Sequence, residues 1–318
     1  MRKPVLNKLR RNLIDAIGDT SLVELDGLSP NKRVSLFGKL EGDNPTGSVK
    51  DRIAKYLIED GERSGRLKRG GTILEPTSGN TGISLAMIAR LKGYSLKVVM
   101  PESVSPERVQ LLQAYGAQII FSDAEKGTNE SILVAQGIAE ENPNVYMPYQ
   151  YGNTANPRAH EETTGPEIAR DLPDVDTFVA GLGTGGTLMG VGRALRNHNP
   201  SVKVIATAPH PDDVVQGLRS IEHGFIPPIL DLEELDGRLL VEAEEAFFWT
   251  RQLLDVAGVF AGISSGAVIA AARKVAEKMT SGKIVCLLAD GGWKYLSTGL
   301  WTRNYGDIES EIQGKIWW

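Results

Sequence analysis

Cysteine is almost absent. The 318-residue chain has a single one, Cys286, which excludes an intramolecular disulfide. Stability is left to apolar burial, which a chain of this length supplies without crosslinks or structural metals. Cys286 lies in the apolar run Ile284-Val285-Cys286-Leu287-Leu288-Ala289, a setting for a buried structural thiol rather than a catalytic one. Histidine is scarce too: His160, His198, His210 and His223 are scattered, so no metal site is expected. Excess charge of either sign is missing. With 35 Lys+Arg against 40 Asp+Glu the net charge is −5, which argues against a general nucleic-acid or membrane-surface binder. No apolar run approaches a membrane span. Met1-Arg2-Lys3-Pro4 leads into charged sequence instead of an apolar signal core, so the cytoplasm is the expected compartment. Internal repeats and low-complexity tracts are also lacking. At 41% hydrophobic and 24% charged residues, the chain is globular. Its length suggests about two domains, or one large α/β unit with a lobe.

What recurs is a short apolar run, a Gly-rich turn and a helical pattern. Thr72–Glu75, Leu96–Met100 and Gln118–Phe121 read as strands. Between and after them, residues 83–91, 106–115 and 128–140 read as helices, with Ser105 as an N-cap and Pro106 in the first turn. The pattern returns after Pro173: strands at 177–180, 202–207 and 284–289, helices at 188–198 and 263–279. Continuous apolar strands alternating with helices predict two parallel sheets covered on both faces, with a boundary near residues 145–155. Ligands in such sheets lie beyond the carboxyl ends of the strands. The loops at 76–81 and 181–187, which follow strands directly, are therefore where chemistry is expected.

Gly181-Leu182-Gly183-Thr184-Gly185-Gly186-Thr187 opens a helix. Bare backbone N–H groups at a helix start bind phosphate, and Thr184 and Thr187 add hydroxyls. The string fits G-x-G-x-x-G, but the strand that follows ends Ile205-Ala206-Thr207-Ala208-Pro209, without the acidic residue that a dinucleotide ribose requires. A small phosphate group is favoured, a glycine turn serving packing alone being the plainer alternative. Near the N-terminus, Gly42 and Gly47 have P-loop spacing, yet Ser48 stands where a P-loop needs lysine. Lys50, two residues on, sits at the start of a helical stretch. Partial desolvation and the positive helix end both depress a lysine pKa there and make the amine nucleophilic.

Three segments, Pro45-Thr46-Gly47-Ser48-Val49-Lys50-Asp51-Arg52, Glu75-Pro76-Thr77-Ser78-Gly79-Asn80-Thr81-Gly82 and Gly183-Thr184-Gly185-Gly186-Thr187, together resemble the pyridoxal-phosphate (PLP) enzymes of the cysteine synthase group. Gly262-Ile263-Ser264-Ser265-Gly266-Ala267 resembles a fourth motif of that group, and the resemblance runs from Ile17 to Thr298. It implies a two-domain fold of type II, with parallel-rich twisted sheets in both domains. A smaller mobile domain (45–150) would close over a larger one (1–44 with 151–318). It implies that Lys50 forms the Schiff base with PLP, that Asn80 meets the ring hydroxyl, that Gly183 to Thr187 cradle the phosphate, and that Ser264 meets the pyridine nitrogen. Thr77, Ser78, Thr81 and Gln150 would hold the substrate carboxylate, and a homodimer would be the assembly. A serine at the ring nitrogen does not enforce a charged pyridinium as a carboxylate would, which biases the cofactor towards β-elimination and aminoacrylate over transamination.

One branch of the group resembles this chain further. There an arginine in the segment matching Gln216-Gly217-Leu218-Arg219-Ser220-Ile221 reads the phosphate of O-phosphoserine, a task suited to a planar, permanently charged guanidinium. The same branch has a segment like Asp290-Gly291-Gly292-Trp293-Lys294-Tyr295-Leu296-Ser297-Thr298 and a Trp-containing tail. It takes sulfur from a ubiquitin-like carrier protein bearing a thiocarboxylate. This chain ends Gly314-Lys315-Ile316-Trp317-Trp318. Tandem tryptophans left in water are unfavourable, so the tail (312–318) is expected to dock, either on the enzyme surface or as a plug in the cleft. The expected activity is cysteine synthesis from O-phosphoserine. The alternative is an O-acetylserine sulfhydrylase using free sulfide; a serine or threonine deaminase and a non-catalytic scaffold are more distant.

Overall fold

The computed structural model describes residues 9–313 other than Ser78, Ser105, Glu125, Asp212 and His223. Its first half runs β1 (Leu22–Glu24), β2 (Val34–Leu40), α1 (Lys50–Arg63), β3 (Thr72–Pro76), α2 (Asn80–Lys92), β4 (Ser95–Pro101), α3 (Pro106–Ala114), β5 (Gln118–Ser122), α4 (Gly127–Glu141) and β6 (Val145–Tyr146). Its second half runs α5 (Ala155–Ala159), α6 (Gly165–Asp171), β7 (Thr177–Gly181), α7 (Gly186–His198), β8 (Lys203–Pro209), β9 (Gly237–Val241), α8 (Ala243–Ala257), α9 (Ile263–Lys278), β10 (Gly282–Leu288) and α10 (Tyr305–Gln313). A single π-helical turn, His160–Thr164, joins α5 to α6.

The strands form two sheets, β1-β2-β10-β7-β8-β9 and β5-β4-β3-β6. Every neighbouring pair is parallel except β1 with β2. Central strands are buried along their length, as in Thr177-Phe178-Val179-Ala180 of β7 and Ile284 to Leu288 of β10. That two-sided burial is why they read as unbroken apolar runs. Cys286 lies fully buried on β10.

The larger sheet carries apolar cores on both faces, one including Leu36, Val268, Ile269 and Ile284, the other Phe178, Leu188, Val204 and Val285. The smaller sheet packs Ile73, Val98 and Met100 against Ile83 and Met87 of α2. Its opposite face covers Leu74 and Val99 with Ala135 of α4. Each of these Val, Leu, Ile, Phe and Met side chains contributes roughly 1.5–3 kcal/mol by leaving water.

Two details depart from the sequence expectation. First, α2 begins at Asn80, three residues before the apolar pattern at Ile83. Its first turn is polar because it faces a cavity rather than the core. Secondly, β1, for which the sequence pattern gives no strand, closes one edge of the larger sheet antiparallel to β2, and the sheet is parallel-rich as expected. At only three residues, β1 is too short to show an alternation. No helix among the described residues is long and apolar enough to cross a membrane.

Candidate active site

The carboxyl end of β3 leads through Thr77 into α2, and that of β7 leads through the glycine loop into α7. α1 begins at Lys50, and Val49 N–H is bonded to Ala289 O (2.9 Å) just beyond β10. These three helix starts converge on one cavity. Lys50, Thr77, Asn80 and Thr81 line it, together with Gln150, Gly183, Thr184, Arg219 and Ser264. An adjoining recess shares Lys50, Gly183, Thr184 and Ser264 and adds Gly185 and Thr187. Of the residues that the sequence singles out, Gly186 lines neither space. It opens α7 packed against Asn156, whose amide a side chain at 186 would overlap. Ser78 and the terminal Trp317-Trp318 lie outside the described residues.

The Lys50 amine is held below its ordinary pKa. Burial is the main cause, and the charges of Asp290 and Glu41 oppose it. The amine is therefore closer to a free base than a surface lysine is. Two residues on, Arg52 is locked in a buried ionic fork. Its Nε and Nη2 donate to Glu41 (2.7 and 2.8 Å), and its Nη1 and Nη2 donate to Glu167 (2.7 and 2.8 Å). Lys39 Nζ pairs with the same Glu167 at 2.7 Å.

The glycine loop is built to receive a small anion. Gly185 has φ +86°, a left-handed conformation that glycine adopts without strain. Backbone N–H groups and the positive end of α7 follow it. Both loop hydroxyls are held from behind. Asn156 Nδ2 donates to Thr184 Oγ1 (3.0 Å), and Thr187 Oγ1 bonds His160 Nε2 (3.2 Å). His160 is buried on the π turn, its other nitrogen 2.9 Å from Thr164 Oγ1. Burial, with Arg52 and Lys50 nearby, keeps its pKa well below the usual value, so the ring is neutral. Ser264 lies in the first turn of α9, and Gly217, at φ +87°, approaches it from the loop that carries Arg219.

Opposite stands a polar chain. Asn80 Nδ2 donates to Asp290 Oδ2 (2.7 Å), which also accepts from the Tyr295 hydroxyl (2.8 Å). Lys294 Nζ donates to Asn80 Oδ1 (2.6 Å). Thr81 Oγ1 donates to Gln150 Oε1 (2.8 Å), so the part of Gln150 left for a ligand is its NH2, a donor suited to a carboxylate. Arg219 lies over the rings of Tyr151 (5.3 Å) and Phe225 (4.8 Å). Its Nη1 donates to Asn129 of α4 (3.2 Å). Asn156, His160, Tyr151 and Phe225 carry no sequence signal of their own, because each acts by holding a residue that does.

A phosphate cradle at a helix start, an adjacent lysine of lowered pKa, a serine in a second helix turn and an asparagine of fixed orientation form one set. Ser265 Oγ and Asp290 Oδ1, both buried, have no hydrogen-bond partner among the described residues. The set suits a phosphorylated aldehyde cofactor: the amine for the aldehyde, the loop for the phosphate.

The comparisons agree with that class. The family described as "Pyridoxal-phosphate dependent enzyme" matches residues 13–290. A "Probable cysteine synthase" of Bacillus subtilis (strain 168) is 44% identical over 307 residues, covering 93% of this chain and 99% of that protein. A "Cysteine synthase" of Staphylococcus aureus (strain N315) is 41% identical over 301 residues, covering 92% and 97%. Among solved structures, the cysteine synthase (OASS) of Entamoeba histolytica superposes with a TM-score of 0.89 at 34% identity, covering 96% of this chain and 94% of that one. The chain belongs to the cysteine synthase family of pyridoxal-phosphate-dependent enzymes.

Proposed function

We propose that this enzyme makes L-cysteine by β-replacement on an O-substituted L-serine, and that the substrate is O-phosphoserine. The first part is supported by relatives that bear the name cysteine synthase over nearly their whole length. The observation that carries the second is Arg219, a permanent cation in the wall of the cavity that holds Lys50.

Lys50, Asn80, Gly183 to Thr187 and Ser264 hold the cofactor, which when bound supplies the electron sink for charge developing at Cα. The chain's own residues do the rest. Thr77, Ser78, Thr81 and Gln150 bind the substrate carboxylate and so orient Cα. The Lys50 amine removes the Cα proton. Arg219 draws off the phosphate leaving from Cβ, and a sulfur nucleophile takes its place. We assign the region 45–150 as the part that closes over the amino acid and excludes water, and the homodimer as the working assembly. The sulfur comes from sulfide, or from a carrier-protein thiocarboxylate whose carbonyl–sulfur bond water then cleaves to free cysteine and the carrier carboxylate, with the tail at 312–318 as the element that guards the cleft.

The second reading, O-acetylserine with free sulfide, is favoured by the likeness to a structure named for that activity. Titrating the holoenzyme with O-phosphoserine and, separately, O-acetylserine, and following the absorbance of the bound cofactor, separates the two. The expected result is a preference for O-phosphoserine of about 10- to 100-fold, the worth of one charge-assisted contact, abolished in Arg219→Ala. A preference for O-acetylserine selects the second reading; a preference for O-phosphoserine that survives the substitution rejects Arg219 as its cause.

A further inference from the structure

Glu75 is the penultimate residue of β3, two residues before Thr77, and it is fully buried. A carboxylate there needs a reason. Its two oxygens accept consecutive backbone N–H groups, Oε2 from Tyr149 (2.8 Å) and Oε1 from Gln150 (3.0 Å). Tyr149 is one of two non-glycine residues with positive φ among the described residues, at +56°. That conformation is unfavourable for a bulky side chain, and the fork on Glu75 is what holds it. The same turn is fixed by Asn156 Nδ2 on Gln150 O (2.9 Å) and closed by Gly152 and Asn153 N–H on Tyr149 O (both 3.0 Å). The Gln150 side chain then reaches Thr81 in the first turn of α2.

We propose that Glu75 is a positioning residue: its ionised carboxylate holds Tyr149 and Gln150 in the one backbone conformation that presents the Gln150 amide to the substrate carboxylate. This rests on the reading that Gln150 meets that carboxylate. A protonated carboxyl has one good acceptor oxygen in place of two, so protonation takes the acceptor from one of the two N–H groups and releases the strained turn.

The surroundings make the switch accessible. Burial pushes the Glu75 carboxyl up to about 7, with the two N–H bonds pulling the other way. The titratable groups that feel its charge are Tyr146 of β6 and Tyr149 and Tyr151 of the turn, whose hydroxyls are all raised, chiefly by burial, and stay neutral. Behind them, Arg66 and Asp60 face Tyr146, and Arg219 faces the other two rings.

The test compares wild type, Glu75→Gln and Gln150→Ala as holoenzymes. The concentration of O-acetylserine giving half the cofactor absorbance change is read from about pH 5.5 to about 7.5, with kcat measured alongside. O-acetylserine avoids titration of a substrate phosphate. Glu75→Gln, whose NH2 must face an N–H, is expected to raise half-saturation about tenfold, leave kcat within about twofold, and leave the cofactor spectrum unchanged. Wild-type affinity falls as pH drops through about 7, relative to either variant. If Gln150→Ala leaves half-saturation unchanged, the reading of Gln150 fails. If Gln150→Ala raises it but Glu75→Gln does not, or retains the wild-type pH profile, the role of Glu75 is overturned. Should Glu75→Gln not fold, the profiles of wild type and Gln150→Ala decide alone, and parallel profiles reject the proposal.

Discussion

An asparagine amide presents a donor at one end and an acceptor at the other, and the neighbours of Asn80 decide which end faces where. Lys294 offers only donors, and Asp290 Oδ2 is an acceptor. Asn80 Oδ1 must therefore turn to Lys294 and Nδ2 to Asp290, as the 2.6 and 2.7 Å contacts show. In the proposed site, the second Nδ2 hydrogen would be available to a cofactor oxygen. Burial lowers the Lys294 pKa to about 8, against the charges of Asp290 and Asp51, so it is still largely charged at neutral pH. Lys294→Met is expected to weaken cofactor binding about tenfold, the worth of a hydrogen bond to a charged group. Re-titrating the cofactor-free variant with pyridoxal phosphate checks this, and unchanged affinity would mean that Asn80 keeps its orientation unaided. Lys50 is legible in the sequence because the segment around it is distinctive. Lys294 is not, because its partner lies 214 residues away and one lysine looks like another until the chain is folded.

The element that matters most is α1, whose first residue is Lys50 and whose third, Arg52, ties it to the larger sheet. The Arg52 guanidinium is buried, and its fork spans Glu41, which follows β2, and Glu167 of α6. Replacing it by methionine leaves the part-buried Glu167 with Lys39 as its remaining cation, and the buried Glu41 with only the neutral donors Thr20 and Asn44 among the described residues. A loss of about 3–5 kcal/mol is expected, measured as a lower urea midpoint with unchanged slope. Arg52→Lys should recover little, because an ammonium cannot make both forks. This network is invisible in composition: Lys39, Glu41, Arg52 and Glu167 each read as solvated charge, and their pairing spans up to 128 positions. By contrast, β3, β4, β5, β7, β8 and β10 with α2, α4, α7 and α9 are legible, because two-sided burial makes strands continuous and glycine marks their ends. α2 stops at Gly93 in the left-handed conformation, as its glycine suggests. The short β1 and β6, the edge strand β9 and the π turn carry no periodic pattern, and tertiary contacts alone define them.

For the whole molecule, Glu167, His160 and Glu75 contribute to the response of stability to acid with different signs. The Glu167 carboxyl, which burial alone would raise, is brought down to about 2 by Arg52 and Lys39. Its contribution is complete above the unfolded value near 4.5 and is lost as pH falls from there towards 2. His160 is held neutral by burial. The unfolded chain gains that proton below about 6.5 while the folded one does not, so stability falls as pH drops from there. Glu75 runs the other way. With its pKa raised to about 7, the folded protein keeps a proton that the unfolded chain loses, so stability rises as pH drops from about 7 to about 4.5. One proton from Glu75 and one from His160 nearly cancel across that window, and below about 4.5 His160 and Glu167 act in the same direction. Glu75→Gln removes the counterweight. At about 1.4 kcal/mol per pH unit for one proton, the variant should lose about 2 kcal/mol relative to wild type between pH 6.5 and pH 5. Thermal unfolding across that range reads the difference as a few degrees in Tm. Parallel curves for the two proteins would mean that Glu75 titrates at the same pH in the folded and unfolded chains, and would remove the energetic basis for its action on the Tyr149-Gln150 turn.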